Sequence, residues 1–221
     1  MDYELLKKIY GIGSFSGYSD DEISEMLEGF ETAPSALTGF WKKCGNTKEL
    51  FGHSNDNWID LEFRRKYMWV KEQKDYYYLL NENQGVYQAA IRREDMSLPD
   101  PPVYVVETSR DNEVKEVGKA EESVSAFLMG MLLYEASLGL EFDCGDFIWY
   151  SEDDIAQIDA LLQKYPYHVY NWYSERIDVY GMNDEALLFI LQGDDPQGTY
   201  SARSEDALQK MDELIGEIGE R

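Results

Sequence analysis

Histidine and cysteine are almost missing from this chain, with two of each in 221 residues. His53 and His168 stand in no metal-ligand spacing such as H-x-x-x-H. Cys44 and Cys144 match neither a disulfide framework nor a metal motif. Each lies beside a glycine at the end of an apolar stretch, which predicts a small buried hydrophobe. Cys144 also has no basic neighbour in sequence to lower its pKa, so it makes a poor nucleophile. The phosphate-cradling patterns G-x-G-x-x-G and G-x-x-x-x-G-K are absent, and Gly11 to Gly17 (GIGSFSG) follows no strand. Asp194-Asp195-Pro196 reads as a turn rather than half of a calcium loop. These shortages predict no catalytic residues, no metal and no cofactor.

Basic residues are also scarce: 20 Lys and Arg against 44 Asp and Glu, a formal net charge of −24. A field of that sign repels nucleic acid and anionic membrane, and it argues against stacking bases on the tyrosines. Long apolar runs are lacking too. Phe127 to Leu133 is interrupted by glycine and falls far short of a membrane span. The opening MDYELLKKIYGIG has no apolar core of a secretion signal. A soluble, cytoplasmic protein is the expectation.

What the chain does have is apolar and aromatic mass. Hydrophobic residues make up 43% and aromatics 14%, including 17 tyrosines and five tryptophans. A real core is within reach at this length, and the amphipathic aromatics suit interfaces as well as cores. Residues 1–144 carry 27 acidic and 15 basic side chains, and residues 145–221 carry 17 and 5. The second segment therefore reaches the same −12 in about half the length. Two readings fit: acidity for solubility, or a surface for a basic partner.

Periodicity places the elements. Leu5, Leu6 and Ile9 mark a first helix. Ser19 and Glu22 form a capping box before Ile23, Met26, Leu27 and Phe30. Pro34 occupies the first turn of a helix carrying Leu37, Phe40, Trp41 and Cys44. The segment from His53 to Arg65 is ambiguous, and strands begin at Tyr67, with hairpin turns at 71–74 and 81–84. The unbroken apolar run Tyr76 to Leu80 implies a strand covered on both faces, and Pro101-Pro102 the border of a following strand. Val124, Phe127, Leu128, Met131, Leu132 and Ala136 define the main core helix, ending near Gly139. Beyond Cys144 come a helix led by Ser151, strands at 167–173, 176–182, 186–192 and 198–202, and a last helix from Ala207 to Ile218. With no flexible spacer at 143–152, residues 145–221 are expected to extend the first sheet.

Aromatic and acidic residues alternate in DCGDFIWYSEDD. Asp143, Asp146, Trp149, Tyr150, Glu152, Asp153 and Asp154 are the candidate partner-binding residues, as aromatic anchors ringed by carboxylates. The competing reading makes Phe147, Ile148 and Trp149 core, with the following acidic residues favouring a helix N-terminus.

Four segments in order resemble the SUKH superfamily over roughly residues 20–140: APSALTGFWKKCGNTKEL, LLNENQGVYQAAI, PDPPVYVV and SVSAFLMGMLL. The fingerprint residues are Glu82, Asn83, Gln84 and Gly85, and Asp100, Pro101 and Pro102. They read as structural, since Gly85 can take a positive φ and Asn83 tolerates one. The resemblance implies an α+β fold: a mixed or antiparallel sheet with helices on one side, and a β-rich C-terminal extension ending in a helix. The chain is read as a single domain over 1–221, with a separate domain at 145–221 as the alternative, and as a monomer. Most bacterial members look like immunity proteins encoded beside polymorphic toxins, many of them nucleases, and the founding fungal member regulates cell-wall synthesis. An antitoxin binding a basic toxin domain is therefore expected, with a non-enzymatic adaptor as the alternative.

Overall fold

The computed structural model describes residues 1–51, 57–58, 74–85, 87–109, 113–170 and 176–220. His53, most of the ambiguous segment to Arg65, the strand expected from Tyr67, most of the 71–74 turn and Val86 lie outside the described residues. The chain is mixed α+β: among the described residues there are six α-helices and two antiparallel sheets. In order they are α1 (Tyr3–Tyr10), α2 (Asp20–Met26), α3 (Ser35–Cys44), β1 (Asn57–Trp58), β2 (Tyr76–Glu82), β3 (Gln88–Arg92), β4 (Val103–Thr108), β5 (Val114–Glu121), α4 (Val124–Gly139), β6 (Phe142–Asp143), β7 (Ile148–Trp149), α5 (Glu152–Leu161), β8 (Gln163–Tyr170), β9 (Arg176–Met182), β10 (Ala186–Leu191), β11 (Gln197–Ala202) and α6 (Glu205–Ile215). No helix among the described residues is long and apolar enough to cross a membrane. The chain forms two compact units, residues 14–128 and residues 1–13 with 129–221, and the boundary falls inside α4.

In the unit 14–128 the sheet runs β1-β2-β3-β4-β5, each strand antiparallel to the next. The capping box at Ser19 and Glu22 starts α2 as expected. Pro34 sits one residue earlier than expected, at the N-cap with ψ 131°, and α3 begins at Ser35. Tyr77 anchors these helices to one face of the sheet. Its ring packs edge-on to Phe30 at 5.2 Å and lies 5.9 Å from Trp41, and its hydroxyl donates to the Met26 carbonyl at 3.3 Å. Along β2 every residue after Tyr76 is buried, which explains the unbroken apolar run.

The second face of this sheet carries polar groups that satisfy one another. Gln88 donates to Asn81 at 3.2 Å and accepts from Thr108 at 3.0 Å, and Thr108 shares a hydrogen bond with the Tyr78 hydroxyl at 3.3 Å. Arg92 grips Glu116 with two bonds of 2.8 and 2.6 Å and lies 3.9 Å over the Tyr104 ring. Such a pair fixes the pairing register of strands β3 to β5 by geometry as well as charge. β5 (VKEVGKAE) was not foreseen from the sequence, because only Ala120 in it is buried.

The fingerprint residues build turns and caps. Glu82 accepts Gln84 N–H on its carboxylate and Gly85 N–H on its carbonyl, and Gly85 takes φ +71°. The Pro99 carbonyl receives Ala36 N–H, the Pro101 carbonyl receives Val124 N–H, and the Asp100 carboxylate receives Ser125 N–H at 2.9 Å. One short loop thus supplies acceptors to the first turns of both α3 and α4.

The other unit corrects an expectation. Among the described residues, 145–221 do not extend the first sheet: β6 to β11 pair with one another, in the order β6-β11-β10-β9-β8 with β7 also on β11. Hairpins explain the outcome, since each strand meets its sequence neighbour first. Asn183 and Asp184, at φ 53° and 58°, lie in the three-residue connection 183–185 between β9 and β10, where Glu185 N–H donates to the Met182 carbonyl at 3.1 Å. One face of this sheet buries Tyr180, Leu188, Ile190, Tyr200 and Ile148 against Ile158 of α5 and Met211 and Ile215 of α6. Each such side chain stabilises by about 1.5–3 kcal/mol. The opposite face meets α4: Phe189 packs edge-on to Tyr134 at 5.2 Å, and Ser201 donates to the Ala136 carbonyl at 2.8 Å. α1 joins this layer through Tyr10, whose hydroxyl donates to the Leu132 carbonyl at 2.6 Å.

Two glycines give opposite predictions. A Cβ on Gly198 would stand 1.9 Å from the Phe189 carbonyl oxygen, so Gly198→Ala is expected to lose roughly 2 kcal/mol or more. Gly39 is exposed inside α3 with nothing within 4 Å of its Cβ position, so Gly39→Ala should gain about 0.5–1 kcal/mol. Urea midpoints at unchanged slope check both.

Candidate functional site

The segment Asp143 to Asp154 is held by backbone pairing on both sides. β7 runs antiparallel to β11, with Ile148 opposite Gly198 and Trp149 opposite Gln197. On its other side Trp149 and Glu220 exchange two backbone bonds, 2.8 and 2.9 Å long. Gly219 makes that approach possible. It takes φ +90°, and a Cβ there would lie 2.6 Å from the Trp149 carbonyl. Tyr150 N–H then donates to the Pro196 carbonyl at 2.9 Å.

Strand alternation now sorts the aromatics. Ile148 and Tyr150 point into the core beside α5 and α6, each 3% exposed or less. Phe147 and Trp149 point to the other face and are 53% and 47% exposed. Phe147 packs edge-on to Phe189 at 5.9 Å, which itself packs on Tyr134. The register carries this face outward row by row. Val179, Phe189 and Thr199 form one row, and Ile177, Leu191, Gln197, Trp149 and Glu220 the next. The first row meets the aromatic ring of α4; the second ends in an exposed indole beside a carboxylate.

Acidic residues dominate the segments that flank this strand. The stretches 142–162, 192–202 and 211–220 contain twelve Asp and Glu and no Lys, Arg or His. Asp143, Asp146, Glu152, Asp153, Asp194, Asp195, Glu217 and Glu220 are exposed. The unit of residues 1–13 and 129–221 carries 22 acidic and seven basic residues, against 22 and 13 in the unit 14–128.

Of the seven residues expected to bind a partner, five stand at the surface: Asp143, Asp146, Trp149, Glu152 and Asp153. Tyr150 is a correction, since it is 3% exposed and belongs to the core. Asp154 is committed to the fold. It closes the capping box of α5, accepting Ser151 N–H at 2.8 Å and Ser151 O–H at 2.6 Å. Those bonds hold its carboxyl below the usual carboxylate range. Phe147 and Glu220 were missed. Alternation about the buried Ile148 would have flagged Phe147, but no local signal brings Glu220 to Trp149.

Asp178 is the centre of a charged cluster. Asp178, buried, accepts Arg176 at 2.7 Å, Lys164 at 2.7 Å and Gln192 at 3.2 Å. His168 stands opposite Asp178 in the β8–β9 register. Asp75, Tyr76, Arg92, Arg93, Glu94 and Glu116 line an open depression of about 690 Å³ in the unit 14–128. Its arginines are engaged: Arg92 by Glu116, and Arg93 by the Gly29 and Lys74 carbonyls and the Phe30 ring. Cys44 is buried as expected, and burial pushes its thiol up to about 12. Cys144 is half-buried, packed against the core of its unit and 3.0 Å from the Thr199 hydroxyl, so the expectation of a buried hydrophobe holds there only in part. Among the described residues no group of three or more His, Cys, Asp or Glu is placed to hold a metal ion. No family model, no curated protein and no solved structure matches the chain.

The capping box sets a pH test. A carboxyl whose folded pKa is depressed adds stability that is present above its unfolded value of about 3.9 and is lost as pH falls through the folded value. Ser151→Ala should therefore cost about 1 kcal/mol at pH 7. The stability gap between the wild type and Asp154→Asn should close below about pH 4, measured by urea titration across pH.

Proposed function

We propose that this chain is an immunity protein. It binds one cognate toxin domain, basic and of the nuclease type, and neutralises it by covering its working surface. In this reading it acts in the cytoplasm, carries out no chemistry and needs no cofactor. The observation that carries the reading is an exposed aromatic pair, Phe147 and Trp149, in a segment where Asp143, Asp146, Glu152 and Asp153 are also exposed.

The physical logic joins two kinds of group. Nucleases need cations to hold a phosphate backbone, so their working face is complementary to this one. Carboxylates at a rim steer encounter and suppress wrong partners, while desolvated aromatics at the centre hold the complex together. The resemblance of residues 20–140 to the SUKH superfamily supports the same assignment. On that reading the fingerprint residues serve as frame: they are consumed in turns and caps, and the varied exterior chooses the partner.

The test uses the purified chain and the toxin domain encoded beside its gene. Inhibition of the toxin is expected, with an association rate falling at least about tenfold between 50 and 500 mM salt. Replacing Phe147 and Trp149 together by alanine should weaken the complex about 30-fold or more, chiefly through faster dissociation. A complex that leaves the toxin active would favour the adaptor reading. Inhibition insensitive to both salt and the double substitution would place the interface elsewhere.

A further inference from the structure

Resting on that reading, we infer that the Trp149–Glu220 pair is a seat for a guanidinium group, so that the partner is held here by an arginine rather than by positive charge in general.

Three observations converge on the seat. First, Trp149 and Glu220 are direct cross-strand neighbours through two exchanged backbone bonds, so their side chains rise from the same face. In such a pair the Cβ atoms lie roughly 5 Å apart. The carboxylate stands within reach of a cation lying over the indole. Second, the ring is open: Trp149 is 47% exposed. Among the described residues cations lie over the rings of Tyr104, Phe30 and Tyr180, and none lies over Trp149. Third, the backbone is fixed beforehand. β11 pairs on one side, Glu220 closes the other, and the glycine before Glu220 has no room for a Cβ. Little conformational freedom is left to lose on binding, which favours affinity.

Chemistry then selects the occupant. A guanidinium is planar and weakly hydrated. It can lie flat on an indole while its edge donates two bonds to a neighbouring carboxylate. A lysine ammonium is a hydrated point charge that cannot do both at once. The molecule uses the same arrangement internally, where Arg92 lies over Tyr104 and grips Glu116 in a bidentate pair. At Trp149 and Glu220 the ring and the carboxylate are in place and the cation comes from the partner.

Two peptides of equal charge, nona-arginine and nona-lysine, provide the test, titrated into the full chain at 50 mM salt. Fluorescence or calorimetry gives affinity. The ¹⁵N spectrum shows which indole N–H moves, its Trp149 signal being the one lost in Trp149→Leu. Nona-arginine should bind roughly tenfold tighter than nona-lysine and shift the Trp149 signal. Trp149→Leu and Glu220→Gln should each bring the two affinities within about twofold of one another, whereas Asp195→Asn weakens both peptides alike and keeps the ratio. Glu220→Gln alters no backbone bond, so it decides the matter even if Trp149→Leu fails to fold. Equal affinities in the wild type, or a ratio that survives Glu220→Gln, would overturn the arginine seat while leaving the basic-partner reading intact. Binding of neither peptide would overturn both.

Discussion

Two backbone hydrogen bonds between Trp149 and Glu220 hold the arrangement on which the candidate surface depends. Together with the pairing of β7 on β11, they fix a two-residue strand that local propensity alone could not hold straight. Once that strand is extended, alternation sends Ile148 and Tyr150 inward and Phe147 and Trp149 outward. A slip of one residue would bury the indole and expose the isoleucine. Gly219 is the steric condition for all of this, because any larger residue would push the C-terminal segment off the Trp149 carbonyl.

The two units differ in charge balance, with 22 acidic residues each against 13 basic in 14–128 and seven in the other. In the unit 14–128 three cations meet acceptors: Arg92 on Glu116, Arg93 on two carbonyls and a ring, and Lys119 on Glu122. A polar ladder through Asn81, Gln88, Thr108 and Tyr78 is likewise closed on itself. Groups satisfied internally offer a partner little. At the β7 end of the second sheet Asp143, Asp146, Glu152, Asp153 and Glu220 are exposed, at a cost in self-repulsion that the unit tolerates. Surface charge of that kind contributes little to stability. It is consistent with selection for encounter.

Most elements were legible because their signals are local. The capping box at Ser19, the helical spacing from Val124 to Ala136 and the apolar run at β2 each state their own geometry in a few residues. β5 was illegible because its side chains are mostly exposed, leaving no burial to impose a pattern. The two-residue strands β6 and β7 were illegible for a different reason: they exist only as pairings with β11. For the same reason the segment Asp143 to Asp154 showed acidic and aromatic content without showing which residues face outward. Tyr150 looked equivalent to Trp149 in sequence and is its opposite in the fold.

The sequence by itself determined the sign and density of charge, the scarcity of histidine and cysteine, and the positions of helices and hairpins, since composition and short-range periodicity suffice for these. Tertiary structure alone decided that the C-terminal strands form their own sheet, that Tyr150 joins the core, and that Glu220 stands beside Trp149. The place of β7 rests on backbone pairing between residues some 50 to 70 positions apart, with Gln197 and Glu220 both meeting Trp149. No local pattern encodes that pairing, because its specificity comes from which faces can be buried once the whole sheet is assembled.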